Sequence, residues 1–166
     1  MNLKYLLFIL GFPAIWSCQE HASSHRSATI AEACPSLAGK TFRYKPNDSL
    51  PDSLKFTIVF RCDSQQLKGV IFGPFPMGDE GLYFFREELD SLQCSGDSLS
   101  FSFVQHTYYE RPFTLANYNR RWDNKVLGRG NGRQFYTGIY KRDELTLLCN
   151  SEDYSCYADT MEFVQK

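Results

Sequence analysis

From Ser98 to Phe103 serines and large apolar residues alternate without a break, as Ser98-Leu99-Ser100-Phe101-Ser102-Phe103. A strand turns successive side chains to opposite faces, so this run predicts a strand with one buried and one wet face. Ser95-Gly96-Asp97 ahead of it is a turn signal. Val104 is apolar where a serine is due, which predicts a bulge or a change of partner after Phe103. Phe56 to Cys62 carries its larger apolar groups at alternate positions, and a polar turn at 63–66 separates it from a second run, Leu67 to Phe72. Gly69 inside that run marks a bulge or a point of close packing. Leu82 to Phe85 is a further strand, and Glu87 to Cys94 suits either a helical turn or a strand. Gln134 to Lys141 and Leu145 to Cys149 form a hairpin closed by Arg142-Asp143-Glu144, and Met161 to Val164 alternates again at the end of the chain.

One stretch has the helical period instead. Leu115, Tyr118, Trp122 and Val126 follow at steps of three and four, with Thr114 placed to cap the start and Gly128 to end it. The pattern therefore predicts an all-β domain, a single antiparallel barrel or sandwich of about eight to nine strands, with one short helix near 114–127. The loop at 73–78 holds two prolines and two glycines, and the glycine-rich segment 128–133 reads as a flexible connector.

The first residues differ in kind from the rest. A single cation, Lys4, precedes an apolar run from Tyr5 to Trp16, which is the layout of a secretory signal peptide and is shorter than the roughly 20 residues of a membrane-spanning helix. Ile15-Trp16-Ser17-Cys18 resembles the lipobox of bacterial lipoproteins, with an aliphatic residue three places before the cysteine, a small residue just before it, and Trp16 where a small residue is usual. That resemblance implies cleavage before Cys18 and lipid on its thiol. The alternative is an ordinary secretory signal cut after Ser24. The expected organisation is a signal peptide at 1–17, a polar tether at 18–33 too hydrophilic to fold alone, and a β domain at 34–166.

The domain carries a second resemblance. Leu37-Ala38-Gly39-Lys40-Thr41-Phe42 at its start, the run from Tyr136-Thr137-Gly138-Ile139-Tyr140 to Leu147, and the closing Met161-Glu162-Phe163 resemble lipocalin-like (calycin-type) barrel lipoproteins. Phe42 stands where tryptophan would be more diagnostic. The resemblance implies a barrel that either keeps an apolar cavity or is filled by its own side chains.

Charge adds an exclusion. The chain has 18 basic and 19 acidic residues, and removal of 1–17 takes only Lys4, leaving 17 against 19. That balance gives no reason to expect a nucleic-acid partner. Six cysteines are present, at 18, 34, 62, 94, 149 and 156. With Cys18 assigned to lipid, five remain in a compartment that permits disulfides, enough for two bridges. Cys149 and Cys156 are the expected pair, clipping the loop between the last two strands. No Cys or His spacing suits a metal site.

Enzyme signatures are absent: no Gly-x-Ser-x-Gly, P-loop, HExxH or dinucleotide fingerprint occurs. His106, Tyr108 and Glu110 would share one face of a strand, where the plain reading is an exposed polar row. Glu87 and Glu88 would face opposite ways, and Cys34 has no histidine nearby in sequence. No catalytic residue, cofactor or metal is expected. The local charge is more distinctive. Arg120, Arg121, Lys125, Arg129 and Arg133 crowd a short span around Trp122, which is either a solvated face or a docking surface for an anionic group with Trp122 as its apolar anchor. The expected function is that of a monomeric envelope lipoprotein, on the outer membrane in preference to the inner, binding a small apolar or anionic ligand through a barrel interior and basic rim. The alternative is a protein-interaction module of the envelope.

Overall fold

The computed structural model describes residues 35–45, 50–64, 66–76, 79, 81–105, 107–120, 125–126, 132–151 and 156–166. The expected signal peptide at 1–17, Cys18, the expected tether at 18–33 and Cys34 lie outside the described residues. Eleven strands form one antiparallel sheet: β1 Thr41–Tyr44, β2 Thr57–Asp63, β3 Gln66–Pro76, β4 Leu82–Glu88, β5 Asp90–Ser95, β6 Ser98–Val104, β7 Tyr108–Tyr109, β8 Lys125–Val126, β9 Arg133–Lys141, β10 Glu144–Cys149 and β11 Thr160–Gln165. The hydrogen-bonded order is β5-β6-β9-β10-β11-β1-β2-β3-β4-β7-β8. The fold is thus all-β, as the alternating pattern requires, with Glu87 to Cys94 resolved as strand on both sides of Leu89.

The ladder is open, with β5 at one end and β8 at the other. Yet β4 and β5 are consecutive in the chain and only Leu89 separates them. One extended run therefore pairs with β3 in its first half and with β6 in its second. The sheet must curl to bring its far end within one residue of β4. The Leu89 N–H donates to the Gly69 carbonyl at 2.8 Å where the two halves meet. Gly69 is the point of close packing, because a Cβ there would lie 2.5 Å from the Leu89 side chain and 3.3 Å from Phe60.

Curling gives the sheet an inside. Phe42, Ile58, Phe60, Ile71, Phe85, Leu99, Phe101, Phe103, Tyr136, Leu145, Leu147, Met161 and Phe163 are buried in one continuous core. Strands β2, β3 and β4 are buried on both faces. Their outward residues Val59, Val70, Phe72 and Phe84 form a second cluster with Phe113, capped by Tyr109 and Tyr118. This cover is the segment that follows β7, held down by Phe72 stacked on Tyr118 at 5.5 Å and by the Arg86 guanidinium donating to the Tyr118 carbonyl at 3.1 Å.

That segment corrects the predicted helix at 114–127. Residues 115–119 form turns, and Lys125–Val126 is strand β8, paired with β7. One helix-like turn does start at Thr114, whose carbonyl accepts from the Tyr118 N–H. The Asn117 carboxamide oxygen then accepts from the Thr114 N–H at 2.6 Å, the local competition that makes asparagine a poor helix former. After Phe103 the change of partner occurs: β6 pairs with β9 up to Val104, and β7 then pairs with β4. The β9–β10 hairpin turns at Arg142 and Asp143, both with positive φ of 48° and 68°, the backbone that matches the twist of a two-residue hairpin.

Gly138 of β9 sits where a Cβ would lie 2.7 Å from the Thr146 carbonyl and 2.5 Å from the Leu147 side chain. Backbone cannot move aside as a side-chain tip can. Gly138→Ala is therefore expected to destabilise the domain by about 1–3 kcal/mol. Gly69→Ala, which meets only side-chain atoms, should cost less. Chemical denaturation of the two variants checks the order.

Candidate functional site

The inward residues of β6 and β9 come from alternation: Leu99, Phe101 and Phe103 on one strand, Gln134, Tyr136 and Gly138 on the other. Their rings fill the middle of the fold. Tyr136 stacks on Phe103 at 5.8 Å and on Phe101 at 5.6 Å, and Phe103 stacks on Phe85 at 6.1 Å. On the other side of the core Phe42 meets Phe60 edge to face at 5.9 Å. Such pairs add directional preference to burial, so this region is occupied by its own side chains.

Beyond the rings, where β6 ends and β9 begins, lies a buried polar chain. The Tyr136 hydroxyl donates to Gln134 Oε1 at 3.0 Å, and Gln134 Nε2 donates to Gln105 Oε1 at 3.3 Å. Gln105 and Gln134 are both buried. Burial pushes the Tyr136 hydroxyl up to about 12, opposed by a backbone hydrogen bond from Tyr157. Every donor in the chain points the same way, and the last one, Gln105 Nε2, is buried without an acceptor among the described residues. Reversing both amides leaves the Tyr136 O–H as the orphan instead, because Tyr157 already donates to that oxygen. A buried donor without a partner costs about 1–3 kcal/mol.

The opposite end of the fold is tied off. Lys40 Nζ donates to the Tyr140 hydroxyl at 2.5 Å and to Gln165 Oε1 at 2.6 Å, reaches Asp143 at 3.4 Å, and lies 4.9 Å from the centre of the Tyr140 ring. The hydrogen bond with Tyr140 is the main cause that raises Lys40 above its ordinary value of 10.5.

A groove of about 390 Å³ runs over the outer face of β5, β6 and β9. Ser91, Gln93, Ser100, Thr137 and Asn150 line it together with Phe135. Register explains the assembly: Ser102 lies opposite Phe135 and Ser100 opposite Thr137. The hydroxyl face of the alternating strand is thus set beside an aromatic ring.

The basic segment is not brought together as a site. Arg120 is exposed, Lys125 lies in β8, and Arg121, Trp122 and Arg129 fall outside the described residues. Arg133 is spent within the sheet, paired with Asp90 at 3.1 Å and donating to Ser102 at 2.8 Å. His106 is also outside the described residues, while Tyr108 is buried against Phe75, so the proposed polar row 106–110 is not one wet face. Cys149 and Cys156 are disulfide-bonded with Cα atoms 6.2 Å apart, and Cys94 is bridged as well. Two bridged cysteines in the last loop fit an oxidising compartment outside the cytoplasm. Gln105 and Gln134 had not stood out in the sequence. The available signal was phase, since Gln134 falls in step with the buried Tyr136.

These groups set the alkaline limit of the fold. A Lys40 raised in the folded state contributes fully below its unfolded value near 10.5, and that contribution is lost as pH rises through its higher folded value. Tyr136, Tyr108 and Tyr44 are all raised by burial and act in the same direction. Stability should therefore be level toward neutral pH and fall steeply above about pH 10. Denaturation midpoints followed with tyrosinate absorbance check this, and Lys40→Met should flatten part of the slope. No family model, curated protein or solved structure matches this chain, so the meaning of these residues rests on their own geometry.

Proposed function

We propose that this protein is an exported, lipid-anchored, non-catalytic binding protein that holds a small apolar ligand by one acceptor oxygen at the Gln105 end of its interior. The buried Gln105 amide without an acceptor carries this reading. A native fold rarely leaves such a donor bare, and a ligand carbonyl or carboxylate there would complete the chain that begins at Tyr157. Tyr136, the first side chain of that chain, is buried and stacked on Phe103, which makes its surroundings apolar. Export and anchoring rest on the signal-like first residues, the lipobox at Ile15-Trp16-Ser17-Cys18 and the disulfides. The placement is the bacterial envelope, outer membrane before inner.

The ligand test begins with native mass spectrometry of the protein purified from its own membranes. Titration with dodecanoic acid and menadione follows, one a carboxylate and one a carbonyl acceptor. Gln105→Leu removes the orphan donor while keeping the volume. It also removes the acceptor of Gln134 Nε2, so one bare donor replaces another. The ligand-free protein should gain no stability, and the ligand's affinity should be lost. A parent protein that binds neither probe and carries no ligand from its membranes, or a variant that binds as well as the parent, would defeat the proposal.

The anchor has its own test. Cys18→Ala should release the protein from the membrane fraction with the domain still folded, and the parent protein should show acyl groups by intact mass. Continued membrane association of the variant would sink the lipid anchor.

A further inference from the structure

The groove outside β5, β6 and β9 is separate from the Gln105 site, which lies on the inner face of the same strands. Three observations bear on its occupant. First, its lining holds only hydroxyls, carboxamides and rings. The nearest cation on these strands, Arg133, is already neutralised by Asp90 at 3.1 Å and tied to Ser102. An anion would gain little here. Second, Phe135 stands 49% exposed on backbone tied to the segment after β10, its N–H donating to Ser151 Oγ and its carbonyl accepting from the Asn150 N–H, each at 2.8 Å. The ring is thus carried on anchored backbone and offered to solvent. Third, both β6 and β9 are paired along both edges, β6 with β5 and β9, β9 with β6 and β10. The open edge nearest the groove is that of β5 at the end of the ladder, so β6 and β9 themselves cannot take an extended peptide as another strand.

We propose that this groove is a binding site for a neutral carbohydrate. A pyranose ring presents one face of C–H groups and a rim of hydroxyls. The C–H face matches the Phe135 ring, and the hydroxyl rim matches groups that both donate and accept, such as Ser100, Gln93 and Asn150. Asn150 is already oriented, with Nδ2 donating to Thr137 Oγ1 at 2.9 Å. A groove of about 390 Å³ falls at the small end of the range for small-ligand sites, which suits one or two sugar units of a longer chain. Ile139 and Leu148, exposed farther along the same face, extend the apolar surface beyond the ring.

The experiment titrates the intact exported protein with maltohexaose, cellohexaose and chitotetraose, and with a sulfated heparin oligosaccharide as the anionic control. Backbone amide shifts and calorimetry are the readouts. A neutral oligosaccharide should bind with a micromolar to millimolar Kd, with shifts confined to 91–102, 135–137 and 150. Phe135→Ala and Asn150→Ala should each weaken binding about tenfold or more without loss of fold, and raised salt should leave it unchanged. Gln105→Leu should not affect it, which separates this site from the interior one. Absence of binding to all three neutral probes would overturn the proposal. So would preference for the sulfated probe, or self-association of the protein that Phe135→Ala abolishes, since that would make this face a protein contact.

Discussion

The passage of the chain through Leu89 constrains the rest of the structure. A hydrogen-bonded sheet of this size can lie open and twisted, but here β4 and β5 are one extended run that serves two different partners. Covalent continuity forces the β5 end of the ladder back against β4, and the buried Leu89 side chain fills the seam against Gly69. A side chain at 69 would push Leu89 away, so the smallest residue stands opposite the joint. Once the sheet is curled, every second residue of β1, β2, β3, β6, β9, β10 and β11 must face inward. The large count of phenylalanines then becomes a packed interior, where stacked and edge-to-face rings fix a single arrangement.

The outside of the sheet is treated unequally, and the difference has a physical origin. On β2 to β4 the outward residues are Val59, Val70, Phe72 and Phe84, too apolar to face water together. The segment after β7 covers them with Tyr109, Phe113 and Tyr118. On β6 and β9 the outward residues are serines, threonine, Phe135 and Ile139; Ser102 is buried beside the Arg133 guanidinium, while Thr137, Phe135 and Ile139 stay exposed. Where the sheet needed a cover the chain supplies one. Where it did not, hydroxyls and a few exposed apolar groups remain, and these define the groove.

This contrast also shows what could be read from the sequence. The strand at 98–103, the hairpin turning at 142–143 and the bridge between Cys149 and Cys156 depend on residues close in the chain, and alternation or turn chemistry shows each of them. The cover was misread because Leu115, Tyr118 and Trp122 fall at helical spacing. Its true anchors are Tyr109, Phe113 and Tyr118, chosen by the surface of strands some forty residues earlier. Leu115, which a helix would have buried, is exposed. No local rule contains that information. The polar chain is a similar case. Phase alone places Gln134 inside, but only the change of partner after β6 carries Gln105 to meet it.

The two proposed sites follow from the two faces of the same pair of strands, and their chemistry differs because their dielectric surroundings differ. Inside, Gln105 and Gln134 are buried, where each hydrogen bond is strong and each missing partner is costly. A single acceptor atom then decides whether the network is satisfied, so the inner site is suited to a mostly apolar molecule with one polar end. Outside, Ser100 and Thr137 are open to solvent, and no single bond there can be worth much. Recognition on that face must come from many weak polar contacts summed over a rigid apolar platform. That is the form a neutral sugar chain presents, and the pleat of β6 against β9 places the platform and the polar row side by side. One alternating pattern, Ser-Leu-Ser-Phe-Ser-Phe facing Gln-Phe-Tyr-Thr-Gly, thus creates both environments at once.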